Sequence, residues 1–204
     1  VEQYLKISHR DALLRISRMD FPDTPISKAI TPKRMASPKT IDKTYRTLLS
    51  LLSLKKEDCN DLLARGLSLS AIKKLNIKST PPDKDVAITT KLIARGCSLE
   101  NVPGFYQTRD GTWHIQCSLQ GYFIPSIHGN KILFMQVRAR SKNANFRYWS
   151  FSSKNRNGIS SHNEAHEIAF HQYNVHDVWW TEGALKADVA SYLMYQKYHI
   201  AVPF

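Results

Sequence analysis

Cysteine is scarce, and the little there is forms no framework. Cys59, Cys97 and Cys117 are widely separated, contain no CxxC pair and lack zinc-site spacing. A disulfide-stapled secreted module and a cysteine metal centre are therefore both excluded, and the three read as reduced, partly buried thiols. Long apolar runs are also missing. No stretch approaches the roughly 18 to 20 residues that cross a bilayer, and Val1-Glu2-Gln3-Tyr4 holds no apolar signal core, so a cytoplasmic protein without a membrane partner is expected. The chain does not begin with Met, as expected of a segment from inside a longer protein, although trimming or an engineered start would look the same. The most informative lack is of negative charge: no Asp or Glu occurs between Asp110 and Glu164.

What is present points to a basic globular protein. The 204 residues, 42% of them hydrophobic, are enough for one large or two small cores. A formal charge of +12, from 29 Lys and Arg against 17 Asp and Glu, favours a polyanionic partner, with membrane surfaces and plain solubility as the competing explanations. The acid-free stretch carries Lys131, Arg138, Arg140, Lys142, Arg147, Lys154 and Arg156. Among them stand Phe146, Tyr148, Trp149 and Phe151, rings that can stack on bases. The alternative is that the rings are core and the cations keep a sheet soluble.

The chain divides into four regions. Residues 1–40 are expected to form a peripheral amphipathic helix over 4–17, then a linker broken by Pro22, Pro25, Pro32 and Pro38. Residues 41–103 read as a helical domain. Ile41, Tyr45, Leu48, Leu49 and Leu52 recur at helical steps, and Leu62-Leu63-Ala64-Arg65-Gly66 is echoed thirty residues later by Leu92-Ile93-Ala94-Arg95-Gly96. These predict two similar helix–glycine corners, with Ser68 or Ser70 capping a short helix that carries Ile72 and Leu75.

Residues 104–172 switch to a period of two. Four strands, over 113–118, 122–127, 131–140 and 146–152, predict an antiparallel sheet with a turn at His128-Gly129-Asn130. In the third strand Leu133, Met135, Val137 and Ala139 face one way and Gln136, Arg138 and Arg140 the other, so one face is expected to be core and the other open to a ligand. Residues 155–161 read as a mobile loop. Residues 173–204 suggest a parallel strand–helix–strand unit whose helix, 184–198, turns Leu185, Val189, Leu193 and Tyr195 inward. The fold class expected is α+β.

Glu182 lies where the first strand of that unit meets a glycine turn, the edge at which open α/β sheets place ligands, and a carboxylate there suits magnesium. Equally, it is a helix N-terminal charge one turn before Lys186. His162 and His166 are four apart but form no HExxH motif and have no evident third ligand; His171 and His176 support a metal no better.

Five stretches, in order, resemble the catalytic core of bacterial DnaG-type primases, and more closely the Toprim-containing primase-like proteins of mobile elements and phages. They are Val102-Pro103-Gly104-Phe105-Tyr106, Gly121-Tyr122-Phe123-Ile124-Pro125, Gln136-Val137-Arg138, the run from Arg147-Tyr148-Trp149 to Ser153, and Thr181-Glu182-Gly183 through Ala190. Residues 45–75 resemble the helical region that precedes this core in the mobile-element group. The resemblance implies that Arg138 matches the arginine after the central strand and that Arg147-Tyr148 match a Lys-Tyr pair beside template and nucleotide. It implies that Glu182 is the Toprim glutamate, a magnesium ligand or general base and acid in nucleotidyl transfer. Two-metal chemistry needs several carboxylates, and the family's Asp-x-Asp pair falls beyond Phe204; the zinc module that commonly precedes the core is not visible.

Two functions are therefore expected. One is the nucleic-acid-binding portion of a primase-like replication protein, a nucleotidyltransferase in its intact form, incomplete at its C-terminal end here. Its expected partners are single-stranded DNA or a DNA template, nucleotides, and a helicase or other replication or nucleoprotein partner. The other is a shortened non-catalytic relative that grips nucleic acid or inhibits a nucleoprotein machine. A Toprim nuclease or topoisomerase-like activity ranks third, because no convincing cleavage tyrosine stands out.

Overall fold

Helix α1, Pro38–Leu51, starts where the sequence supplies both a cap and a preset backbone angle. The Ser37 hydroxyl accepts the Thr40 N–H at 3.2 Å and Pro38 occupies the first turn. Its stripe of Ile41, Tyr45, Leu48 and Leu49 is fully buried, each aliphatic member contributing roughly 1.5–3 kcal/mol. The helix stops at Leu52, whose backbone is extended. This is a computed structural model, and it describes residues 34–128, 130–141, 147–161, 178–201 and 204. The expected helix over 4–17, most of the proline linker, Lys142, Phe146 and the four histidines from 162 to 176 lie outside the described residues.

Helices α2, Lys56–Ala64, and α4, Val86–Ala94, end in the same way, as the repeat predicts. Gly66 and Gly96 adopt φ of +94° and +70°. The amide after each glycine reaches back to the same relative carbonyl: Leu67 N–H to Leu62 at 3.3 Å, and Cys97 N–H to Leu92 at 3.1 Å. Between them, Ser68 caps the short helix α3, Leu69–Lys74, and β1, Lys78–Ser79, joins a sheet. Asp85 caps α4 by accepting the Ile88 N–H at 3.1 Å.

Two antiparallel sheets follow. Strands β2, Phe105–Gln107, and β3, Trp113–Ile115, form a ribbon of their own. The four-stranded sheet runs β1-β4-β5-β6, with β4 at Gly121–His128, β5 at Lys131–Ala139 and β6 at Tyr148–Ser150. The strand expected at 113–118 thus belongs elsewhere, because Phe105–Gln107 supplies its partner, and the two-residue β1 takes its place beside β4.

The larger sheet is covered on both faces. Phe123, Met135 and Val137 pack with α1, α4 and the ribbon in one core. Tyr122 and Ile124, alternating with them along β4, pack with Leu62, Ile72 and Leu75 and with helix α5, Ala184–Tyr198. The helix bounds match the sequence expectation, and its inner side includes the expected Leu185 and the partly buried Val189; Ala184, Ala187, Asp188 and Ser191 are buried with them, while Leu193 is 38% exposed. The expected parallel strands are not formed by the described residues beside α5, since 178–183 and 199–201 are irregular. The observed architecture is α+β.

Candidate nucleic-acid interface

The alternation expected in β5 holds, but its polar face is not open. Helix α2 sets two carboxylates, Asp58 and Asp61, against it. The Arg138 side chain is 7% exposed, donates from Nε to Asp61 Oδ2 at 3.3 Å and from NH1 to the Tyr148 hydroxyl at 2.7 Å, and lies 5.2 Å above the Tyr148 ring. Arg140 donates two bonds, of 3.0 and 2.8 Å, to the buried Asp58, which also accepts the Ser79 hydroxyl at 2.5 Å. Asp61 further accepts Arg65 at 3.0 Å and Tyr122 Oη at 2.7 Å. Burial alone would raise the Asp61 carboxyl, but the bonds from Arg65 and Tyr122 and the charges of Arg65 and Arg138 outweigh it and hold it below its ordinary value. The Tyr122 hydroxyl is pushed up by burial and by Asp61. The face expected to await a ligand is therefore occupied by this chain's own acids.

A recess of about 210 Å³ opens over this network, with Arg147 at its rim. Arg147, Lys154 and Lys131 are exposed and form no ion pair among the described residues. Lys131 stands apart: seven residues along β5 from Arg138, roughly 23 Å at 3.3 Å per residue, it sits at the hairpin end. There Arg46 donates to the Asn130 carbonyl and Asp42 accepts the Ile132 N–H, both at 2.8 Å. Arg156 donates to Gln116 Oε1 at 3.3 Å.

Among the described residues β6 is an edge strand, and its register explains why its adjacent rings diverge. Tyr148 pairs with Arg138 and Trp149 with Val137, so the rings lie on opposite faces, 39% and 44% exposed. Phe151, offered by the sequence as a third stacking ring, is instead core. It meets Phe123, Phe105 and Tyr45 at centroid distances of 4.9, 5.7 and 5.8 Å. Sequence reasoning missed Asp58, Asp61, Arg65 and Tyr122. The available signal was two acids three apart on a helix, the spacing that puts both on one face, ahead of a segment with no acids.

Glu182 lies at the mouth of a recess of about 150 Å³ that also includes Tyr148, Gln136 and Lys186. Its carboxylate is exposed and takes a hydrogen bond from Lys186, which, with that lysine's charge, lowers its pKa. The helix-terminal pairing offered by the sequence is formed. Among the described residues no group of three or more His, Cys, Asp or Glu could hold a metal ion, and a single carboxylate shared with a lysine does not fit the ligand set magnesium takes. Glu182→Gln is expected to leave thermal stability unchanged and affinity for single-stranded DNA within about twofold, as for an exposed pair. A tenfold loss in a titration would show that the glutamate shapes the binding surface.

No family model and no curated protein matches the chain. Among solved structures it is similar to the RNA polymerase domain of Mycobacterium tuberculosis primase DnaG, in complex with a double-stranded DNA oligomer with a 6-nucleotide overhang. The identity is 15% and the TM-score 0.47, over 57% of this chain and 39% of that one. It is also similar to the zinc-binding and RNA polymerase domains of Aquifex aeolicus primase, with 17% identity and a TM-score of 0.44, over 74% of this chain and 37% of that one. The chain thus spans under two-fifths of the length of each. No helix among the described residues is long and apolar enough to cross a membrane.

Proposed function

We propose that this chain is the nucleic-acid-binding portion of a primase-like replication protein, whose intact form joins nucleotides on a DNA template using magnesium. One observation carries the binding half of the reading. Within the acid-free stretch an edge strand exposes two rings, with Arg147 and Lys154 beside them and no carboxylate paired to either among the described residues. Rings plus unneutralised cations are what a single strand meets in sequence-tolerant binding sites. The synthetic half rests on the ordered sequence resemblance, and it needs carboxylates beyond those described.

Arg147→Ala combined with Lys154→Ala is expected to flatten the dependence of log affinity on log salt by about 1.4, at roughly 0.7 per phosphate contact on a single strand. Fluorescence anisotropy over a salt series measures this, and an unchanged slope would show that these cations touch no phosphate. Arg138, held by Asp61 and Tyr148, is expected to contribute less to the slope than either.

The pairing of Glu182 with Lys186 favours a second reading, binding without synthesis. Primer synthesis with magnesium, assayed on this chain and on the longest natural form of the protein, separates the two. Activity confined to the longer form supports the first, and activity in neither supports the second.

A further inference from the structure

Recesses on the two sides of the sheet near β6 differ in charge. On the Arg138 side the described lining includes Glu57, Asp58 and Asp61, so the arginines there already face carboxylates. On the Trp149 side a recess of about 400 Å³ is lined by Trp149, Lys154, Asn155, Ser118 and Gln116 with Val137 at its base, and no acid is among its described lining residues. The nearest acid by hydrogen bonding is Asp83, which accepts the Cys117 N–H at 2.8 Å. Arg156 reaches the same side through Gln116. The volume falls within the range of small-molecule sites, roughly 300–1,000 Å³.

We infer that the Trp149 recess is a subsite for an unpaired nucleobase of a single strand, on the face of the sheet opposite Arg138 and Glu182. This rests on the reading of the chain as nucleic-acid-binding and adds to it a location and a substrate class. The half-exposed indole supplies a stacking face, which any base can use but a paired base inside a duplex cannot offer. Gln116, Asn155 and Ser118 supply donors and acceptors for a base edge, the usual route to reading unstacked bases. Lys154 and Arg156 supply the charge for the adjoining phosphates. In the other recess Arg138 and Arg140 are already paired with Asp61 and Asp58, whereas here no acid is among the described lining residues. The positive stretch thus leads a strand to Trp149 rather than to the arginines that stand out most in the sequence.

The test is anisotropy with the full chain and a labelled single strand of about 12 nucleotides, within the range one binding fold covers, alongside the same sequence as a duplex. Trp149→Ala and Trp149→Leu are each expected to weaken single-strand binding about tenfold and duplex binding by less than about twofold, as loss of one stacked base predicts. Leucine keeps apolar bulk on the edge strand, so it decides the matter if the alanine variant does not fold. If both variants bind the single strand like the wild type while Arg147→Ala with Lys154→Ala still flattens the salt slope, the subsite is refuted and the nucleic-acid reading survives. Equal losses for duplex and single strand also refute it. If the wild-type chain binds no single strand, both readings fall together.

Discussion

Gly104→Ala is expected to lower the stability of the protein by roughly 2–5 kcal/mol, summing about 1–2 for a left-handed backbone with a Cβ and about 1–3 for overpacking a filled core. Gly104 adopts φ of +86°, and a Cβ built there would stand 2.3 Å from two ring carbons of Phe151 and 2.5 Å from a third. The ring has little room to yield, since it is packed among Tyr45, Phe105 and Phe123. The Tyr45 hydroxyl also donates to the carbonyl of the preceding Pro103 at 3.1 Å, fixing the backbone at the same point. Gly111→Ala is the control, because its φ of +84° is nearly the same but its Cβ would meet nothing nearer than 3.9 Å. Urea unfolding of the two variants separates packing from backbone strain. Equal losses would show that the Phe151 contact contributes nothing.

Asp58→Ala is expected to cost roughly 3 kcal/mol, near the lower end for breaking a buried ion pair. The carboxylate is 1% exposed and joins three pieces of chain: its own helix α2, Ser79 on β1 and Arg140 at the end of β5. The Ser79 hydroxyl in turn accepts the Lys55 N–H at 2.8 Å, so the loss spreads to the start of α2. Arg140 is 34% exposed and can recover water, which keeps the cost from the top of the range. A double-mutant cycle with Arg140→Ala is expected to give a coupling of about 1–3 kcal/mol. Simple additivity of the two losses would mean that the bonds drawn between them carry no stabilisation.

Much of the local structure was legible because its causes are local. The 184–198 helix, the two glycine corners and the β5 alternation follow from spacing of three, four or two residues, and each appears where that spacing puts it. Helix α1 begins three residues before the expected Ile41, and the Ser37-Pro38 pair was the overlooked signal. What the sequence hid is long-range. Asp58 and Asp61 meet arginines some eighty residues later, so a strand face with three polar positions looked open when it was already claimed. Phe151 looked like Tyr148 and Trp149 in composition, and only the aromatic cluster around it tells core from surface. Which strand pairs with β3 also turned on a partner, Phe105–Gln107, too short to carry a period of its own.

Phe151 has one more consequence. Because this buried ring pins the chain two and three residues beyond Trp149 and Tyr148, the backbone under both exposed rings has already given up its freedom during folding. A guest that settles on either ring need not supply that ordering cost again, so even a shallow contact can yield a usable share of its attraction as affinity.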